Sequence, residues 1–319
     1  MRGIASLSVA LFHFSSDLHS APARWLHAYG WLGVDAFFVI SGVVVPLSLW
    51  DRHYGIRQFP AFITRRLVRL EPAYLASIVL GIVAWHLTAL APGFRGGPPE
   101  YSLPQLAAHI FYLIPLTDYA WLSPVYWSLA FEFVFYCLVG LMFPWLMRRR
   151  VEWTITFAAV ATACLLMLGA RIGVYAIEFL VGVLVMRWVV GDEKQWQIAL
   201  GLLASVVFIV SVGGVGQGIV VALAAMAIAG WHDVALGRWA YAVGALSYSL
   251  YLTHTIVGGR VVNLGKRFGE GVAYDLALIT AAAGASILFA AAFAYCVERP
   301  SIRASKRFFV APAARASTR

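Results

Sequence analysis

Charge is the scarcest thing in this sequence. Lys, Arg, Asp and Glu make up 12% of its 319 residues, about half the share usual in a soluble domain. At 61% hydrophobic, the chain has more apolar surface than its own interior can hide, so lipid must serve as its solvent. Cysteine is nearly absent. Cys137, Cys164 and Cys296 sit in apolar segments at unrelated spacing, which argues against a disulfide framework or a zinc cluster and reads as small buried hydrophobes. Signature loops are missing too. Without G-x-x-x-x-G-K-[ST], H-E-x-x-H or G-x-S-x-G, P-loop ATP hydrolysis, zinc proteolysis and serine hydrolysis drop out, and no metal is expected. The little charge present is lopsided, with 24 basic residues against 15 acidic ones. No nucleic-acid motif accompanies it, so the excess reads as basic loops that set membrane topology, and no nucleic-acid partner is expected.

What is there is a series of apolar runs. Spans are expected near 3–20, 29–50, 72–91, 127–147, 152–170, 172–189, 196–212, 218–231, 240–262 and 272–297, judged against about 20 residues per crossing. The fold expected is therefore an all-α, polytopic bundle of about ten transmembrane helices in the lipid bilayer. Arg52, Arg57, Arg65, Arg66 and Arg69 follow the second span, Arg148–Arg150 the fourth, and Arg303, Lys306 and Arg307 the last. Positive-inside then places both termini in the cytoplasm. Lys266 and Arg267 fall on the outer face and depart from this scheme. QLAAHIFYLIPL (105–116) is too short to cross alone and is expected to be a partial or interfacial element. One transmembrane domain over 1–300 and a basic cytoplasmic tail over 301–319 complete the organisation. Arg2, a short apolar run and Ala21-Pro22-Ala23 have the outline of a secretory signal, but His13, Ser15, Ser16 and Asp17 interrupt it, and the first span is preferred.

Polar residues within such spans are expensive, and each is a candidate for function. His13 ends the first run, and Asp35 lies six residues into a span descending from outside. Helical rise puts them at similar depth on antiparallel helices. A carboxylate there would fix the imidazole tautomer and raise its basicity; a satisfied structural pair is the alternative. Glu132, one turn after Ser128, is expected at the same depth, with Ser128 itself read as a helix-packing residue. In ITRRLVRLEP, Arg66 and Arg69 share a helix face beside Arg65. They could clamp a phosphorylated ligand or simply anchor the span in headgroups. Arg171 and Glu178, seven apart, are expected to form a structural ion pair, and His254 to be structural.

Several stretches, in order, resemble the acyltransferase-3 family of bacterial membrane acyltransferases. They are R-G-I-A…F-H-F (2–14), G-V-D-A-F-F-V-I-S-G (33–42), R-R-L-V-R-L-E-P (65–72), W-S-L-A-F-E…F-Y (127–136), E-F-L-V-G (178–182), Y-S-L-Y-L-T-H (248–254) and E-R-P (298–300). The resemblance implies a ten-helix domain of the bacterial inner membrane that passes an acyl group, by default acetyl, from cytoplasmic acyl-CoA to a hydroxyl acceptor at the outer face. Carbohydrate of the envelope or exported glycan is the implied acceptor. His13 matches the family's essential first-helix histidine, Arg2 its helix-one arginine, and Arg66 and Arg69 its paired arginines. Asp35, Ser41, Gly42, Ser128 and Glu132 fall on its other motif positions. Relatives usually carry residues ahead of that arginine, which leaves open whether the native chain starts upstream of Met1. Some members append a soluble hydrolase-like domain, and none of the matched stretches belongs to one. The rival class is a proton-coupled transporter or flippase of a glycoconjugate, since intramembrane His, Asp and Glu mark such carriers as well; no inverted repeat supports it.

Overall fold

A computed structural model describes residues 1–52, 54–91, 96–148, 154–155, 169–191, 195–231 and 237–308. Arg149, Arg150, Cys164 and nearly all of the span expected at 152–170 lie outside the described residues. The described residues are helical with connecting turns, and no strand occurs among them. In chain order the helices are α1 (Arg2–Ser15), α2 (Ala21–Tyr29), α3 (Gly33–Trp50), α4 (Phe59–Ala89), α5 (Leu103–Ile110) and α6 (Tyr126–Arg148). There follow α7 (Ala170–Val189), α8 (Gln195–Val212), α9 (Val215–Trp231), α10 (Arg238–Ala245), α11 (Ser247–Gly265), α12 (Val272–Phe293) and α13 (Arg299–Ser305).

Among the described residues, six helical stretches are long and apolar enough to cross a bilayer: Ala21–Trp50, Ile56–Ala89, Tyr126–Leu146, Arg171–Val189, Gln195–Val212 and Val272–Phe308. The chain is a multi-pass membrane protein. Other expected spans take different forms. The first is a 14-residue helix, α1; that at 218–231 belongs to the 17-residue α9; and 240–262 is divided at Leu246 between α10 and α11. Large apolar side chains such as Leu200, Leu203, Leu223 and Leu288 point outward, the arrangement lipid requires.

The centre of the bundle is α3, packed between α1 and α7 with α6 and α9 beside it. Glycine sets both close approaches. A Cβ on Gly42 would strike the Phe179 carbonyl and one on Gly182 the Val39 carbonyl, so α3 and α7 touch backbone to backbone. Small residues allow such contact within lipid, where packing rather than the hydrophobic effect holds helices together. Gly30 and Gly33 likewise lie against the Ser8 and Ala5 carbonyls, locking the register of α1 on α3. Gly42 is thereby a packing residue.

The run at 105–116 is not a span. It dips into the bundle on one side and leaves Ile110, Phe111, Leu113 and Leu116 exposed. His109 is fully buried, its Nδ1 2.9 Å from the Tyr74 hydroxyl in mid-α4 and its Nε2 accepting from the Leu122 backbone at 3.3 Å. The chain reverses at Tyr112, a non-glycine residue at φ 55°. That conformation is disfavoured by about 1–3 kcal/mol, and it is held by rings stacked on both sides, Tyr74 and Phe133, and by a 2.7 Å bond from its hydroxyl to Glu71.

At the other end of the chain, α12 passes through a π-helical turn, Ala294–Glu298, into α13. The extra residue swings Glu298 inward, where Ser249 donates to it, a frequent use of π-bulges at functional sites. Residues 299–308 remain helical and pack on α4. In the link between α3 and α4, Tyr54 donates to the Gly140 carbonyl at 2.8 Å, and burial pushes its phenol up to about 12. Among the cysteines, Cys137 is half-buried and Cys296 exposed, both free thiols; the expectation of burial fails for Cys296, which lies on an outward face of the π turn.

Candidate active site

Three small cavities follow one another through the bundle. The first, at the end where the arginines of α4 lie, is lined by Arg66, Tyr112, Glu132, Tyr136 and Tyr248. The second shares Glu132 and Tyr248 with it and adds Arg2, Ser41, Ser128 and Tyr251. The third shares Tyr251 with the second and adds His13, Asp35, Trp31, Trp127 and Tyr175. Tyr248 and Tyr251 are thus the partitions. Beyond, past the end of α1, opens a polar vestibule of about 1310 Å³ whose walls include Asp17, Trp85, Thr255, Asn263 and Asp275. Only a thin wall separates it from the His13 cavity: Thr255 is 3.3 Å from the Ser123 hydroxyl, and Pro124 and Val125 line the cavity itself.

Glu132 is the hub of the arginine end. Its Oε1 accepts from Ser41 at 2.7 Å and from Tyr136 at 2.6 Å. The sequence placed it level with His13; the structure places it below, with Tyr251 between them. The re-entrant segment explains the difference, because it carries the start of α6 down to mid-bundle, where Tyr126 meets Ser77. Ser128 is more than packing, since its hydroxyl lies 2.6 Å from Tyr251 and so holds one partition in place.

The arginines surround this end rather than forming one face. Arg66 enters the bundle between the rings of Phe62 and Tyr136 and donates to Ser48 at 3.1 Å. Arg69 and Arg2 both lie within electrostatic reach of Glu298, while Arg65 neighbours Arg52. Arg2 sits over the Phe37 ring, and its Nε is buried without a partner. An unpaired buried guanidinium nitrogen is costly, and an incoming anion would satisfy it.

Asp35 shares the cavity of His13 but is not its partner. The register fixed by Gly30 and Gly33 sets His13 on the order of 10 Å farther along the bundle, from about seven residues of helical rise. Asp35 Oδ1 accepts from Gln217 of α9 at 3.2 Å, while its Oδ2 and both carboxyl oxygens of Glu178 on α7 are buried without a hydrogen-bond partner. The expected Arg171–Glu178 pair does not form. Arg171 is exposed at the start of α7, whereas Glu178 is wholly buried at the α3–α7 contact. Seven residues of helix separate them by about 10 Å.

His13 itself, half-buried, faces His254, whose ring centroid is 5.2 Å away. Sequence reasoning missed several members of the site. Tyr248 and Tyr251 were legible as same-face neighbours of His254 on α11, and Gln217 was the one polar residue in an apolar run. Glu298 was visible only within the E-R-P motif, because the π turn that aims it inward breaks helical periodicity.

Comparison with known proteins decides the family. The profile of an acyltransferase domain family, acyltransferase-3, matches residues 1–297. The chain belongs to the acyltransferase-3 family. A putative membrane-bound transacylase BcsY from Komagataeibacter xylinus is 32% identical over 176 residues, 51% of this chain and 42% of that protein. An O-acetyltransferase OatA from Staphylococcus aureus is 28% identical over 158 residues, 47% of this chain and 24% of the relative. These matches take in less than half the length of either relative. No solved structure matches the chain. The family match ends at Val297, within the π turn, so every cavity described above lies inside it.

Proposed function

We propose that this chain is an O-acyltransferase of the bacterial inner membrane. It takes an acyl group, acetyl by default, from cytoplasmic acyl-CoA and gives it to a hydroxyl of a cell-envelope or exported carbohydrate. The observation that carries this reading is the single file of cavities leading from the arginines to His13, with a separate polar vestibule on its other side. A carrier for a whole glycoconjugate would need one wide passage. A transferase needs two approaches that meet at a reacting group.

In this reading the arginine end and both termini are cytoplasmic, and the bundle has ten spans. Arg2, Arg65, Arg66 and Arg69 hold the phosphates of the donor, guanidinium being suited to phosphate oxygens. The thioester arm passes inward between Tyr248 and Tyr251. His13 takes the proton from the acceptor hydroxyl as its oxygen attacks the thioester carbonyl. The carbon–sulfur bond breaks, and the thiolate leaves with that proton as free thiol. General-base action of this kind contributes about 10²–10⁴-fold. An acyl-histidine relay through the same ring is the variant, and both place His13 at the reacting atoms.

The first, second and third cavities measure about 10, 30 and 80 Å³. A water needs roughly 10–15 Å³ of such space, so these cavities hold a few waters and not a thioester arm. This is a closed state, and donor binding must part the two tyrosines. The test is release of coenzyme A from acetyl-CoA by the purified protein in lipid vesicles with envelope glycan supplied. Wild type should release thiol and His13→Ala should not, at equal amounts of folded protein. Equal release by both would remove His13 from the chemistry and the reading with it.

A further inference from the structure

We infer that His254 is a positioning residue for His13: its Nε2 accepts the N–H of the His13 ring and thereby fixes which nitrogen of His13 is left free to take a proton. The inference rests on the acyltransferase reading for its kinetic consequence, but its geometric content stands apart from it.

The two helices bring the rings together by construction. α1 and α11 run parallel and are pinned at both ends. Ser6 donates to the Ser247 carbonyl at 2.9 Å near their starts. Near their ends the Phe14 ring fills the space that a side chain on Gly258 would need. Between these two pins, His13 and His254 fall opposite each other, with the centroid separation already given.

The protonation pattern of His254 follows from its bonds. It is 0% exposed. Its Nδ1 lies 3.0 Å from the Leu250 carbonyl one turn back. A carbonyl only accepts, so Nδ1 carries the hydrogen. In the neutral ring this leaves Nε2 with a lone pair, and that atom is buried with no partner. A buried acceptor without a donor is rare enough to require an explanation. The Phe14 and Tyr251 rings, at 6.0 and 6.1 Å, confine the imidazole so that it cannot turn to find another donor.

The other groups near His13 do not compete for this role. Asp35 of α3 accepts from Gln217 and lies on the order of 10 Å along the bundle from His13, from the helical rise between them. His27 of α2 stacks on Phe12, with Nδ1 3.5 Å from the Phe12 carbonyl. Tyr251 is bound to Ser128 and to the Val125 carbonyl, and Tyr175 lines the far side of the cavity. His254 is the ring that faces His13 with a free lone pair. A histidine base normally has its second nitrogen oriented by a carboxylate or carbonyl; here a second, tautomer-locked imidazole does it.

Two substitutions separate orientation from packing. His254→Leu fills the volume without an acceptor, and His254→Gln returns an acceptor atom near the Nε2 position without a titrating ring. In vesicles, His254→Leu should lower kcat for acyl transfer on the order of 10²-fold with the acceptor KM unchanged, and His254→Gln should recover most of it. ¹⁵N spectra of histidine-labelled protein in micelles give a readout independent of activity. His13 should be a single tautomer in wild type and a mixture in His254→Leu. The same His13 tautomer population in both proteins overturns the inference, as does equal impairment by Leu and Gln. If wild type proves inactive with every donor yet His13 loses its single tautomer in His254→Leu, the positioning stands and the acyltransferase reading falls.

Discussion

At the residue scale, buried polar atoms in this bundle divide into those that are satisfied and those that are waiting. Glu132 is satisfied twice over, by Ser41 and Tyr136. Replacing it with Leu would orphan two buried donors, at about 1–3 kcal/mol each, so Glu132→Leu should lower the thermal midpoint in detergent. Glu132→Gln, which keeps a carbonyl acceptor, should restore most of that midpoint. Equal melting of the two variants would mean the hydrogen bonds contribute little. Asp35 poses the opposite question, because its Oδ1 accepts from Gln217, away from His13. Asn can still accept from Gln217. Asp35→Asn should therefore keep transfer activity within about tenfold of wild type, small beside the 10²–10⁴-fold carried by a general base. A loss as deep as that of His13→Ala would restore Asp35 to the chemistry. Single polar residues in apolar runs made His13, Asp35, Glu132 and Glu178 legible in the sequence. Their pairing was not, because pairing depends on register, and glycine contacts between helices far apart in the chain set it.

At the element scale, the α3–α7 contact and the re-entrant segment decide where the site can be. Gly42→Val should force α3 and α7 apart and cost several kcal/mol, by the overpacking that a dense interior resists, read as loss of monodisperse protein on size exclusion. An unchanged elution and melting profile would show that the two backbones need not touch. For the re-entrant segment, His109→Ala removes both the Tyr74 and Leu122 anchors. Amide exchange should rise across 103–125 and stay as in wild type in α7 and α12; uniform protection would mean the stacked rings alone hold the segment. The sequence marked 105–116 as too short to span, which was right. It could not show the reversal at Tyr112, since a tyrosine at positive φ is held by tertiary contacts rather than by local preference. Likewise E-R-P at 298–300 was visible as a motif, while the π turn ahead of it was not.

At the scale of the whole molecule, the proposed function gives the bundle two approaches to one histidine, basic on one side and polar and wide on the other. Lys266 and Arg267, out of place under a simple positive-inside scheme, border the vestibule, where Lys266 pairs with Asp17 at 2.5 Å and ties the end of α11 to the end of α1. Composition alone revealed the membrane class, and ordered motifs revealed the family. Neither could reveal that the path between the two ends is closed by Tyr248 and Tyr251, because closure is a property of packed side chains. In the proposed function, donor and acceptor enter from opposite faces. The measurement that tests it is transfer across a sealed membrane, with protein of known orientation in vesicles, radiolabelled acetyl-CoA only on the arginine side and glycan acceptor only on the vestibule side. The expected result is labelled acceptor with wild type and none with His13→Ala. Label that appears only when donor and acceptor share a side would contradict the account.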